Sequence, residues 1–244
     1  MNSDRSPFFF MALPFFYTEE IQPTGILQLN EETSKHVIQV LRMQEGEQLN
    51  LTDGKGNLST VQITEAHKKK CMVKVVSSST HQKSEQQIAI AISLVKNNSR
   101  FEWFLEKATE IGVTEIIPLI CERTEKQHFR FDRMQGILIS AMLQSQQCWL
   151  PILHEPVKFE KIVASAPYKQ KFIAHCIDTE KRDLSDLNNR SLHSKIILIG
   201  PEGDFTRQET DLALSNHFSA VALGETRLRT ETAGIVAATL LVQS

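Results

Sequence analysis

The sequence predicts an α/β protein in two parts: a small β-rich barrel, then a parallel sheet with helices on both faces. Three observations carry this reading. Residues 8 to about 78 break into short β-branched and aromatic runs, with one helical pattern among them. A polar stretch, SSSTHQKSEQQ (Ser77 to Gln87), then has no apolar period. Beyond it strands alternate with helices, starting from the continuous apolar run IAIAISLV (Ile88 to Val95), the pattern of a strand buried on both faces.

In the first part the candidate strands are Phe8 to Tyr17, Gly25 to Leu29, Gln48 to Thr52, Leu58 to Ala66 and Cys71 to Val76. DGKGN (Asp53 to Asn57) is a turn signal between two of them. The interposed helix NEETSKHVIQVLRM has Asn30 as its cap, Glu31 and Glu32 at its positive end, and an expected apolar stripe of Val37, Val40 and Leu41. HKKK (His67 to Lys70) reads as a solvated hairpin tip. The expected division is residues 1–78 as barrel, 79–87 as linker and 88–244 as the second domain.

In the second part SRFEWFLEKATEIGV is a helix that Ser99 can cap and Gly112 stops. A strand follows at Glu115 to Ile120, then a helix across Asp132 to Gln147. Further strands are expected at Lys171 to Cys176, Lys195 to Gly200 and Ser219 to Leu223. One helix starts near Thr206, which can cap it, and the last fills Thr230 to Val242 with apolar residues nearly all round, so it must be buried on more than one side.

Formal net charge is −2 over 244 residues. Up to residue 80 there are 8 Lys+Arg against 9 Asp+Glu, and 19 against 20 after it. This argues against indiscriminate binding of nucleic acid, which favours a basic surface. No apolar run approaches the ~20 residues of a membrane span, and FFFMALPFFY lacks a cleavage site. The four cysteines are far apart, with no zinc spacing, so no metal is expected and reduced cytoplasmic thiols are. Cys121 and Cys176 end apolar runs, where burial is the default.

Two loops carry the chemistry. IGPEGDFTRQE (Ile199 to Glu209) and LGETRLRTETAG (Leu223 to Gly234) each follow a strand and precede a helix, where ligands of open α/β sheets bind. Gly200, Gly203 and Gly224 allow close backbone approach. Neither loop has GxGxxG or a P-loop, and Glu202 and Asp204 would repel phosphate. A neutral or cationic ligand with a purine and an amino-acid end fits better, S-adenosylmethionine among the candidates; ordinary turns are the alternative.

IGPEGDF, LGETRLRTETA, EWFLEKATEIGVTEIIPL and HVIQVLRMQEGEQLNLTDGKG together resemble the bacterial small-subunit ribosomal RNA uridine N3-methyltransferases of the SPOUT superfamily, from about Phe8 to the C-terminus. The resemblance implies an N-terminal PUA-like RNA-binding barrel and a methyltransferase domain with a deep trefoil knot. Connection rules alone favour an unknotted, doubly wound sheet. It further implies S-adenosylmethionine as cofactor, ribosomal RNA in the assembled small subunit as substrate, and a homodimer.

On that resemblance the cofactor residues are His175, Ile199, Gly200, Pro201, Glu202, Gly203, Leu223, Gly224, Leu228, Thr230 and Thr232. Arg229 stabilises the anion developing on uracil. Glu231 either acts as general base or orients an arginine. Arg42, Lys55, Lys107, Arg123 and Arg227 are the expected RNA contacts. The chain departs from the family pattern at Ser140, Gln146 and Gln147, and at Asp204, where family members often have glycine and where the aspartate can cap the next helix.

Overall fold

Residues 13–125, 128–177 and 181–243 are described by a computed structural model of the chain. It divides into two units, Met1–Gln82 and Lys83–Ser244.

In the first unit strands β1 (Phe15–Tyr17), β2 (Ile26–Gln28), β3 (Gln48–Thr52), β4 (Asn57–Glu65) and β5 (Met72–Thr80) form one sheet in the order β1-β3-β4-β5-β2. Alternate residues Leu49, Leu51, Val61, Ile63 and Val73 point into a shared core, as period-two patterning requires. The Asp53 carboxylate folds the DGKGN turn by accepting from Lys55 N and Asn57 Nδ2 at 2.8 and 2.7 Å. Residues 1–12, which include the first half of the first expected strand, lie outside the described residues.

Two expectations for this unit need correction. Helix α1 (Glu31–Lys35), capped by Asn30 as predicted, widens into a π turn over His36–Val40. That change of period rotates the stripe, so Val37 is buried while Val40 is 64% and Leu41 42% exposed. The start of the polar linker is strand instead: β5 runs on to Thr80 because its polar side chains bond across the ladder, Ser78 to Ser59 and Thr80 to Asn57.

The second unit contains β6 (Gln87–Ser93), α2 (Asn98–Ile111), β7 (Glu115–Ile120), α3 (Phe131–Gln144), β8 (Ile152–Leu153), β9 (Val157–Lys158) and α4 (Phe159–Ser165). It continues with β10 (Gln170–Ala174), β11 (Arg182–Asp183), α5 (Leu184–Leu187), β12 (Ser194–Ile199), α6 (Arg207–Ser215), β13 (Ser219–Ala222) and α7 (Thr230–Val242). The strand order is β11-β13-β10-β12-β6-β7-β8, with β9 also on β7, and every pairing is parallel. Ile88, Ile90 and Ile92 of β6 face a core shared with α2, α3 and α7. Ala89 and Ala91 face the opposite core, with Phe159 of α4, Phe205 and Ala213 of α6.

Strand β13 enters between β10 and β11, and the chain then crosses to α7, which packs on β6, β12 and α2. This unit has the α/β knot fold, not the unknotted doubly wound sheet that connection rules favour. Helix α2 is capped by Asn97, whose side chain accepts from Ser99 N at 2.9 Å, and not by Ser99. Gly112 closes it in the left-handed region at φ +101°. Helix α3 stops at Gln144, three residues early, because Gln146 turns left-handed at φ +55° and Gln147 Nε2 donates instead to the Thr109 carbonyl at the end of α2.

Some buried polar groups are notable. Burial pushes the Cys121 thiol up to about 12, so it stays protonated. Lys195, in β12, has no exposed surface and its Nζ lacks a hydrogen-bond partner. Its pKa is lowered by desolvation and then by Arg190.

Candidate active site

The loops that follow β10, β12 and β13 converge on the N-terminus of α7. They enclose two adjoining cavities of about 280 and 450 Å³, which share Ala174, Cys176, Arg227, Leu228 and Ala233. The smaller is completed by Ile199, Gly200, Pro201, Glu202, Asp204, Arg229 and Thr230. The larger is completed by His175, Lys181 and the run from Val221 to Thr226.

Local packing explains the shape of these loops. A Cβ on Gly200 would come within 3.1 Å of the Phe205 ring and 3.2 Å of its backbone N, so the turn is tightly packed there and a side chain would push on Phe205. Thr206 caps α6 in a reciprocal box with Glu209. Glu209 also accepts from Glu122 N at 2.9 Å, which ties α6 to the loop after β7. The Thr230 hydroxyl donates to the Gly200 carbonyl at 3.0 Å, joining the two loops singled out in the sequence.

Charges are segregated around the smaller cavity. The loop after β12 brings Glu202 and Asp204 to one wall, and the loop before α7 brings Arg227 and Arg229 to the other. Arg229 is the residue just before the first turn of α7, where free backbone N–H groups add positive potential. Glu231, in the first turn of α7, is only 7% exposed and lines neither cavity. Its Oε1 lies 3.6 Å from Arg100 Nε of α2, so the arginine it faces is not one of the two in its own loop.

The His175 ring is 7% exposed and neither nitrogen has a hydrogen-bond partner. Burial, with the Lys181 ammonium adding to it, lowers its pKa below the usual histidine value, against a weaker pull from Asp204. Lys181 Nζ donates to the carbonyls of His175 and Ile177 at 2.9 and 2.8 Å and so closes the turn after β10.

Of the expected cofactor residues, Ile199, Gly200, Pro201, Glu202, Leu228 and Thr230 line the smaller cavity and His175, Leu223, Gly224 and Leu228 the larger. Gly203 and Thr232 line neither. The expected RNA residues scatter. Lys107 is held by Glu106 and Glu110 at 2.7 and 2.9 Å. Arg123 Nη1 donates to the Gly203 carbonyl at 2.7 Å and braces the loop after β12. Arg42 and Lys55 are exposed in the first unit, Arg42 at φ +57°. Arg227 lines both cavities.

Sequence reasoning missed Ala174, Cys176, Lys181, Val221, Ala222, Glu225, Thr226 and Ala233 as lining residues, and Arg100 as the partner of Glu231. Cys176 is exposed, contrary to the burial expected at the end of an apolar run, because β10 stops at Ala174. Thr206, not Asp204, is the cap of α6. Among the described residues no cluster of His, Cys, Asp or Glu is arranged to hold a metal ion. No helix among them is long and apolar enough to cross a membrane.

Comparison with known proteins agrees with this architecture. Residues 82–242 match the RNA methyltransferase domain model, and residues 29–76 match the RNA methyltransferase PUA domain model. Ribosomal RNA small subunit methyltransferase E of Synechocystis is 32% identical over 83% of this chain and 68% of its own length. The crystal structure of a probable rRNA-methyltransferase from Porphyromonas gingivalis superposes with a TM-score of 0.87 at 37% identity, covering 95% of this chain and 99% of that one. A ribosomal RNA small subunit methyltransferase E from Neisseria gonorrhoeae, bound to S-adenosyl methionine, superposes with a TM-score of 0.82 at 31% identity over 93% of this chain and 95% of its own. With both domain models matched and one relative aligned along most of its length, this chain belongs to the RNA methyltransferase family of the ribosomal RNA small subunit methyltransferase E proteins.

Proposed function

We propose that the protein transfers a methyl group from S-adenosylmethionine to N3 of a uridine in small-subunit ribosomal RNA, acting on the assembled subunit as a cytoplasmic homodimer. The observation that carries this is the pair of adjoining cavities closed by three strand-end loops, with Arg229 lining the smaller. The site suits the cofactor chemically. Its acidic wall of Glu202 and Asp204 suits a sulfonium and an ammonium, and the crowded Gly200 turn leaves backbone groups beside the ligand. The ligand-bound Neisseria relative supports the same assignment.

When bound, the cofactor supplies an electrophilic methyl on a cationic sulfur. The chain's own residues hold the uracil in line and stabilise its charge. Arg229, at the cavity rim, is the fixed cation beside the anion that forms as N3 gives its proton to solvent water. Glu231, buried against Arg100, acts in this reading by orienting that arginine and not as the base. Arg227 faces RNA phosphate, with Arg42 and Lys55 on the PUA-like unit as further phosphate contacts. Since neither half of the chain is basic, the shape of the assembled subunit supplies recognition that net charge does not. In support of a dimer, Ile235, Val236 and Leu240 of α7 stay half-buried in the single chain.

The test is to incubate the protein with labelled S-adenosylmethionine and unmodified small subunits, then map the modified nucleoside. Label in 3-methyluridine is expected. Label on C5 or a ribose oxygen would overturn the N3 assignment, and absence of label would overturn the enzymatic reading.

A further inference from the structure

The loop after β12 is tied at three successive residues to three other strand ends. Glu202 Oε1 accepts from Lys96 N beyond β6 at 3.0 Å, the Gly203 carbonyl accepts from Arg123 beyond β7 at 2.7 Å, and Asp204 Oδ2 accepts from Cys176 N beyond β10 at 2.8 Å. Asp204 differs from the other two in its backbone. It sits in the left-handed region at φ +63°, where a side chain is strained and glycine is not. Its other oxygen accepts from Phe205 N at 2.8 Å. The bond to Cys176 joins the two loops that share the smaller cavity, and Asp204 itself lines that cavity. A glycine would adopt the same turn with less strain but could neither join the loops nor carry charge.

We propose that Asp204 is a positioning and specificity residue: it sets the spacing of the loops after β10 and β12 and gives the cavity wall a fixed negative charge that favours the cationic methyl donor over its neutral thioether product. This rests on the reading of the cavity as the S-adenosylmethionine site. A carboxylate near a sulfonium in a partly enclosed cavity attracts it more strongly than in water, and the attraction ends when the methyl group leaves and the sulfur becomes neutral. Asp204 therefore helps to hold the donor and to release the product.

Calorimetry on the full chain with S-adenosylmethionine and S-adenosylhomocysteine tests this, using Asp204→Asn and Asp204→Gly. The asparagine keeps an acceptor for Cys176 N without the charge, so the methyl donor should bind about tenfold more weakly while the thioether changes less than about twofold. The glycine loses charge and tie together, so it should weaken the thioether about tenfold and the methyl donor about a hundredfold, yet leave the thermal midpoint unchanged or raised, because it relieves the backbone. In steady state, KM for the donor should rise in both variants with kcat at saturation within about twofold. Wild-type affinity for both ligands in Asp204→Gly would overturn the positioning role, whether or not its midpoint moved. Equal weakening of both ligands in Asp204→Asn would overturn the charge selection. If the wild type bound neither ligand, the cofactor reading itself would fail.

Discussion

Arg229 stands where backbone and side chain act together. It is exposed at the cavity rim, and it precedes a helix whose first turn presents unpaired N–H groups. A cation needed only as charge develops lowers the barrier without adding ground-state affinity. Arg229→Ala should therefore reduce kcat by about 10²- to 10³-fold while the Kd for S-adenosylmethionine stays within about threefold. A matching loss of cofactor affinity in calorimetry would make it a binding residue instead.

His175 makes a different kind of statement. Its folded pKa is held below the ordinary value of 6.5, so between the two values the unfolded chain takes up a proton that the folded chain does not. Its contribution to stability is full above pH 6.5 and is lost as pH falls below it, until the folded pKa is reached. Since neither ring nitrogen has a partner, His175→Gln should cost little at pH 7.5. It should also flatten the fall in unfolding free energy as pH drops below 6.5, a slope of at most about 1.4 kcal/mol per pH unit. Urea titrations at several pH values would check this, and an unchanged slope would assign it to other groups. At this scale GPEG and LRTETA were legible as loops leading from a strand into a helix, because each follows an apolar run and precedes a helical pattern. The partner of Glu231 was not, since Arg100 lies on a helix 131 positions earlier, and no spacing rule connects them.

At the scale of elements, α7 is the helix on which the site depends. Its extent, Thr230 to Val242, was readable because an arginine-rich loop gives way to a run without Pro and with few polar residues. Its fit against the sheet was not readable. A Cβ on Gly234 would lie 2.7 Å from Phe104 Cε2 and 2.9 Å from Ile92 Cδ1, so α7 approaches α2 and β6 as closely as a glycine allows. Alanine at 234 would gain roughly 1 kcal/mol of helix propensity, yet the overlap should outweigh it. Gly234→Ala is expected to lower stability by about 1–3 kcal/mol in urea unfolding, with partial recovery when Phe104→Leu is added. Lack of recovery would locate the strain elsewhere. The π turn after α1 and the early end of α3 escaped the sequence for a related reason. Each is set by contacts from outside the helix, such as Gln147 reaching back to the end of α2.

At the scale of the molecule, each unit has its own apolar interior, Leu49, Val61 and Val73 in one, and in the other the two faces of the sheet, with Ile197 and Ile199 of β12 on one and Ile196 on the opposite. All residues lining the two cavities belong to the second unit. A fragment of residues 83–244 should therefore bind S-adenosylmethionine within about threefold of the full chain, while its methylation of small subunits falls at least about tenfold for want of the PUA-like unit. Calorimetry and label transfer on the two proteins would check both halves; equal transfer would remove the first unit from substrate recognition.

The sequence by itself determined most of the longer strands and helices, that two parts of different texture follow each other, and that two loops near the C-terminus each lead from a strand to a helix. These are local or periodic properties, written by burial alternating at two or 3.6 residues and by turn chemistry. Only the tertiary structure decided that β13 enters between β10 and β11, that Glu231 faces Arg100, and that Asp204 reaches the loop after β10. Those outcomes depend on residues brought together across long stretches of chain by packing on a parallel sheet, and distance along the sequence carries no trace of them.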